Sequence, residues 1–101
     1  MEIQIKYSSP FENIEIYINS VKNIFTCNGK DVKASIFLFK EKLFDIVITW
    51  ENNTHIEDIK DSEFYMIKIV TEEDSYLFSS NSDYPENFQE FKNLLMEVLN
   101  G

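Results

Sequence analysis

Residues 32–50 read VKASIFLFKEKLFDIVITW, a stretch rich in Ile, Phe and Val that is interrupted at Lys40-Glu41-Lys42. Short runs of β-branched and aromatic residues on either side of a polar break are typical of paired strands. We therefore predict strands over residues 32–40 and 43–50, joined as a hairpin around the Lys-Glu-Lys triplet.

Both predicted strands carry apolar residues on both sides. If helices cover one face of the sheet, the apolar side chains of the other face must be exposed, lie under a loop or contact a partner. An apolar second face indicates an alternative function, that of an assembly module. The chain would then form a homodimer through Phe37, Phe39 and Val47.

Within the first 28 residues, the first segment has the pattern of a strand, whereas the segment after it fits either a helix or a strand. Ile3, Ile5 and Tyr7 alternate with polar residues, which predicts a half-buried strand. Ser9-Pro10-Phe11-Glu12 has the pattern of a helix start, with Ser as cap and Glu three residues later. The apolar residues that follow have helical spacing: Phe11, Ile14, Ile18, Val21 and Phe25. We therefore predict a helix over residues 10–25, although Ile14, Ile16 and Ile18 also fit a strand, and a turn at Asn28-Gly29.

The C-terminal half predicts a second hairpin and a closing helix. Residues 63–70 and 75–79 read as two strands across a turn at 71–74, and Asp83-Tyr84-Pro85-Glu86 has the pattern of a second helix start. The apolar face of that helix comprises Phe88, Phe91, Leu94, Leu95, Val98 and Leu99.

The predicted order of elements is therefore β-α-β-β-β-β-α. Residues 1–101 are long enough for one globular domain with a modest core. The arrangement that this order favours is an α+β two-layer sandwich, in which a mostly antiparallel sheet of about five strands packs its helices on one face.

The charge of the chain lies in its second half. The net charge is −9, yet residues 1–50 carry equal numbers of acidic residues and lysines, so the whole imbalance falls in residues 51–101. The chain contains no arginine, the residue best suited to bidentate contacts with phosphate or base edges. We therefore expect no direct binding to nucleic acid, whose recognition depends on cationic contacts.

Residues 50–63, WENNTHIEDIKDSE, contain the only Trp and the only His of the chain among five carboxylates. His55 is the candidate catalytic residue of this segment, and with Glu51, Glu57, Asp58 and Asp61 it forms the only candidate metal cluster. Its spacing matches no recurrent metal site, because it lacks a second His and the Gly of a calcium loop. No nucleophile–base or phosphate-binding motif accompanies it. We expect no metal, no cofactor, no catalytic residue and no enzymatic activity.

The function that the charge favours is binding to a basic protein. Clustered carboxylates accelerate encounter with a cationic surface and can occupy sites meant for phosphates. In size and charge only, the chain resembles bacterial toxin-immunity proteins and phage inhibitors of host defence. We expect an inhibitor or neutraliser of a nuclease or nucleic-acid-binding enzyme. The predicted partner-binding residues are Trp50, Glu51, Glu57, Asp58, Asp61, Glu63, Glu72, Glu73, Asp74 and Tyr76.

The sequence also predicts where the protein resides. Cys27 is the only cysteine, the N-terminal residues lack the apolar core of a signal peptide, and no apolar run reaches the roughly 18–20 residues of a membrane span. We expect a cytoplasmic protein, in a bacterial cell or a phage-infected host, with no membrane contact.

Overall fold

The structure, a computed structural model, describes residues 1–48, 50, 64–79 and 87–100. Within these residues it contains six strands and two helices. In chain order they are β1 (Glu2–Ser8), β2 (Asn13–Asn19), β3 (Ile24–Cys27), β4 (Lys30–Asp31), α1 (Ile36–Val47), β5 (Phe64–Val70), β6 (Ser75–Ser79) and α2 (Phe88–Asn100).

The six strands form one antiparallel sheet in the order β4-β3-β2-β1-β5-β6. Strand β1 is central, pairing with β2 on one side and with β5 on the other, so that Ile5 lies between Ile16 and Ile67. Alternate residues of β1, β2, β3 and β5 are buried on one face of the sheet, and both helices pack against that face. The predicted α+β two-layer architecture is therefore confirmed.

The core is built from the side chains that this alternation directs towards the helices. Ile3, Ile5 and Tyr7 of β1 are buried, as are Ile14, Ile16 and Ile18 of β2. Helix α2 covers them with an apolar stripe at helical spacing, Phe88, Phe91, Leu94 and Leu95. Neither helix that the structure describes is long and apolar enough to cross a membrane.

The helix predicted over residues 10–25 is wrong, because this segment forms β2, a turn and β3. The side chains of Phe11 and Val21, which completed the helical stripe, are 93% and 84% exposed. Ser9 makes the hydrogen bonds of a helix cap without a helix: its Oγ accepts from the backbone N–H groups of Phe11 and Glu12 at 3.2 and 3.1 Å. Ser side chains make such local bonds in turns as well as in caps.

The two strands predicted over residues 32–50 are also wrong, because residues 36–47 form α1. The Ser35 Oγ accepts from the Leu38 N–H at 3.2 Å, which caps the helix at a position where no cap was predicted. The Lys-Glu-Lys triplet lies in the middle of this helix. The buried residues of α1 are Phe39, Leu43, Ile46 and Val47, spaced as one helical face. Over the described residues the predicted order of elements is therefore replaced by β-β-β-β-α-β-β-α.

The C-terminal predictions are confirmed where the structure describes them. Strands β5 and β6 form the predicted hairpin, with Ile67 opposite Phe78 and Ile69 opposite Tyr76. Helix α2 ends at Asn100, and the first four residues of its predicted apolar face are buried, whereas Leu99 is 37% exposed. The predicted start of that helix, residues 83–86, lies outside the described residues.

Candidate functional site

The turn between β5 and β6 carries three of the predicted partner-binding residues at an ordered tip. The Thr71 backbone N–H donates to the Asp74 carbonyl at 2.8 Å, and the Thr71 hydroxyl donates to the same carbonyl at 3.1 Å. The Asp74 N–H donates back to the Thr71 hydroxyl at 3.0 Å. These three bonds close the turn through backbone groups and one hydroxyl, so the intervening carboxylates take no part in holding it.

Glu72, Glu73 and Asp74 are all exposed at this tip. Tyr76, two residues further along β6, is 40% exposed, and its hydroxyl lies 3.5 Å from an Asp74 carboxylate oxygen. The structure thus places four predicted partner-binding residues together on one hairpin. An exposed aromatic ring beside carboxylates can offer a cationic partner both a flat apolar contact and opposite charge.

Trp50 is held in the fold rather than presented to solvent. Its ring contacts four aromatic rings at centroid separations of 5.5 to 6.5 Å, those of Tyr65, Phe78, Phe88 and Phe91. Its indole N–H donates to the Asn87 side-chain oxygen at 2.6 Å. Trp50 is only partly buried, so one part of it still lines a surface depression.

The other predicted partner-binding residues, Glu51, Glu57, Asp58, Asp61 and Glu63, lie outside the described residues, as does His55. The described chain resumes at Phe64, which pairs with Ser8, whereas Val70 pairs with Glu2 at the other end of β1. A seven-residue strand is about 20 Å long. The acidic tip and the point at which β5 begins are therefore at opposite ends of the sheet.

An apolar groove runs between the C-terminal half of α1 and β6, with a volume of about 380 Å³. We call it the α1–β6 groove. Sequence reasoning missed its α1 side because it assigned that segment to strands, whereas a helical reading would have placed Phe44 and Ile48 on one face, four residues apart. The groove is lined by Phe44, Val47, Ile48, Trp50, Ile69, Tyr76 and Phe78.

The apolar sheet face on which the alternative homodimer was based does not exist in this fold. Phe39 and Val47 are 4% and 5% exposed, because they lie on the side of α1 that packs on the sheet. Only Phe37 of the three is exposed, and the Lys40 ammonium lies 5.5 Å from its ring centroid. Burial of two of its three residues removes the proposed dimer surface.

Two further features of the described residues concern a thiol and metal-ligating side chains. Cys27 is buried on β3, and burial raises the pKa of its thiol, which disfavours the reactive thiolate. Among the residues that the structure describes, no three His, Cys, Asp or Glu side chains lie close enough to hold a metal ion.

Comparison with known proteins adds no identity to these observations. No protein-family model fits the sequence, and no curated protein or solved structure is significantly similar to it.

Proposed function

We propose that this protein is a small acidic protein-binding module that inhibits or neutralises a basic partner, such as a nuclease or another nucleic-acid-binding enzyme. The observation that carries the proposal is the tip of the β5–β6 hairpin, where Glu72, Glu73 and Asp74 are exposed and Asp74 lies beside Tyr76. An immunity protein or a phage inhibitor of host defence would act in this way.

Two features of the tip support binding to a cationic surface. No lysine lies in residues 71–79, so neither the turn nor β6 carries a positive charge that competes for the carboxylates. The nearest one along the chain, Lys68, pairs with Leu77 and therefore lies on the opposite face of the sheet from Tyr76, which pairs with Ile69.

The ordered turn also limits the entropy lost on binding. The Thr71–Asp74 hydrogen bonds fix the backbone in the free protein, so that the partner need not order this segment. Preorganised surfaces bind more tightly than flexible ones of the same area because they lose less conformational entropy. The excess of acidic residues over lysines across the chain would add long-range attraction to a cationic partner.

The proposed setting is the cytoplasm of a bacterium or of a phage-infected host. The single cysteine, which excludes an intramolecular disulfide, and the absence of arginine in a chain rich in Lys, Asn and Ile are compatible with such a source.

The test compares two double variants that have the same net charge. Glu72→Lys/Glu73→Lys reverses the tip, and Glu12→Lys/Asp31→Lys reverses two carboxylates that lie away from it, in the β1–β2 turn and on β4. Each variant is immobilised and exposed to a lysate of the native cell. The captured protein is then purified, and its association rate is measured against ionic strength.

We expect the wild type and the Glu12/Asp31 variant to capture the same basic protein, with an association rate that falls steeply as salt rises. We expect the tip variant to associate at least tenfold more slowly. Equal rates for the two variants would remove the tip from the interface, and a salt-independent rate would exclude charge-driven docking altogether.

The acidic residues between Trp50 and Phe64 are tested in the same assay by a third variant, Glu57→Lys/Asp58→Lys/Asp61→Lys. We expect weaker partner binding with no change in the unfolding midpoint. Unchanged binding would remove these three residues from the interface.

A further inference from the structure

Helix α1 is apolar on two sides, although only one of them faces the sheet. Its inner side holds Phe39 and Leu43 in the core. Its outer side exposes Phe37 and Ile48, the latter to 79%, with Phe44 partly exposed between them. A surface helix of a small protein normally has a polar outer side, so an apolar one indicates a contact surface.

The outer side of α1 does not stand alone, because it forms one wall of the α1–β6 groove. Phe44 and Ile48 face Tyr76 across a floor made by Val47, Ile69 and Phe78. The groove has the volume of a typical small binding site. Its apolar wall and its apolar floor belong to different elements of the same rigid core, so the groove is present before any partner binds.

Carboxylates border this groove on both sides. On the helix, Glu41 lies three residues before Phe44 and is therefore a neighbour of this wall residue. On the hairpin, Asp74 lies 3.5 Å from the Tyr76 hydroxyl. One cation, Lys40, lies on the same side of α1, and its ammonium is positioned over the Phe37 ring. Among these charged neighbours the acids outnumber the lysine, so the border is net negative.

We propose that the α1–β6 groove binds an amphipathic segment of a basic protein, whose aliphatic side chains contact Ile48 and Tyr76 while its lysine or arginine side chains pair with Glu41 and Asp74. The inference rests on the proposed function and adds to it the place and chemistry of the contact. Charge selects this occupant over a second copy of the chain, since a second copy would bring its own carboxylates and net charge of −9 to an acidic border.

Trp50 makes this proposal measurable. It is the only tryptophan of the chain and lines the groove, so its fluorescence reports occupancy there. The probe is a synthetic peptide of leucine and lysine with helical spacing, free of Trp and Tyr. Two control peptides accompany it: oligolysine of equal charge, and the same peptide with every lysine replaced by glutamine.

The decisive variant is Ile48→Gln, which removes an exposed apolar side chain without changing charge. Its matched control is Leu38→Gln, which makes the same kind of change at a 57% exposed position of the same helix that does not line the groove. Urea unfolding of both variants verifies that each retains the fold.

We expect the leucine–lysine peptide to change Trp50 emission and to bind the wild type and Leu38→Gln equally well. We expect Ile48→Gln to bind it about tenfold more weakly, the loss typical of a contact at the centre of an interface. Oligolysine binding should be the same for all three proteins.

Four results would overturn the proposal in distinguishable ways. Equal peptide binding by Ile48→Gln and Leu38→Gln, with loss only in the Glu72→Lys/Glu73→Lys variant, would reject the groove and leave the acidic tip as the docking site. Failure of both the leucine–lysine peptide and oligolysine to bind would reject the proposed function as well. Equal binding of the glutamine peptide would reject a basic partner. A wild-type dimer that Ile48→Gln converts to a monomer would assign the groove to a second copy.

Discussion

The indole N–H of Trp50 donates to the Asn87 side-chain oxygen at 2.6 Å, and the Asn87 amide nitrogen donates to the Ile46 carbonyl at 2.7 Å. Carbonyls in the last turn of a helix have no partner within that helix. Asn87 therefore satisfies the end of α1 while standing immediately before α2. One side chain joins the two helices and fixes Trp50 between them.

Replacement of Asn87 by alanine removes both of these bonds and leaves the Trp50 indole N–H and the Ile46 carbonyl without a partner among the residues that the structure describes. We expect a loss of about 1–3 kcal/mol in the free energy of unfolding. Urea denaturation followed by Trp50 emission measures it. Asn93→Ala is the control, because the exposed Asn93 side chain bonds to exposed Gln89, and it should change stability by less than about 0.5 kcal/mol. Equal effects would mean that the Asn87 bonds contribute nothing.

A pair of phenylalanines two residues apart tests the assignment of α1. In a helix Phe37 and Phe39 face different ways, and only Phe39 is buried. We expect Phe39→Ala to cost about 3–5 kcal/mol of stability, and Phe37→Ala to cost about 1 kcal/mol or less. Thermal or urea unfolding distinguishes them. Two strands over this segment would place both rings on one face, and similar losses would favour that structure.

Asn28 has a positive φ of 52° and holds the β3–β4 turn against β2 through its side chain. Its Oδ1 accepts from the Glu15 N–H at 2.7 Å, and its Nδ2 donates to the Asn13 carbonyl at 3.2 Å. Asn23 has nearly the same φ, 54°, so glycine relieves the same backbone strain at both positions. We expect Asn28→Gly to be less stable than Asn23→Gly by about 1–3 kcal/mol in urea unfolding. Equal stability would show that the Asn28 bonds are dispensable.

The buried thiol of Cys27 predicts a pH dependence. Because burial raises its pKa in the folded protein, the unfolded chain loses the proton first, at about pH 8.5. Folded stability should therefore be unaffected by this group below that pH and should fall as pH rises above it, by up to about 1.4 kcal/mol per pH unit. The measurement compares the slope of stability against pH for the wild type with that for Cys27→Ala. Identical slopes would contradict the shift, since other groups titrate alike in both proteins.

The sequence predicts β1, β5, β6 and α2 because each of them shows one periodicity without a rival. Ile67 and Ile69 alternate with polar or half-buried neighbours, and Phe88, Phe91 and Leu95 repeat at helical spacing. Burial follows those patterns in β1 and β5 and in the first part of α2, whereas in β6 the adjacent Phe78 and Ser79 are both buried. For such segments local pattern and tertiary packing agree, which is why composition and spacing were enough to predict the fold class.

The segments over 10–25 and 32–50 each support two periodicities, and local sequence favours the one that packing rejects. Ile14, Ile16 and Ile18 alternate correctly for β2, but Phe11 and Val21 complete a helical stripe although both are exposed. In α1 the β-branched residues and Phe indicate strands, yet the sheet obtains its cover from Leu43 and Val47 at helical spacing. Tertiary packing overrides propensity at these points.

The candidate functional site also has one part that the sequence predicts and one part that it does not. The acidic tip was predictable, since its residues are local to one turn. The α1–β6 groove was not, because it requires Ile48 and Tyr76 to meet, and their meeting depends on α1 being a helix and on β6 lying at its side.

The central position of β1 has a consequence for the way in which the protein is made. The four strands β1 to β4 pair in chain order and can assemble from the first 31 residues, but the other side of β1 receives β5 only after residues 9–63 have been synthesised. During that interval an isoleucine-rich strand presents unpaired backbone groups that any other extended chain could bind. Fragments that end before Phe64 should therefore aggregate. A ribosome that pauses in that interval would hold the nascent chain in its most aggregation-prone state.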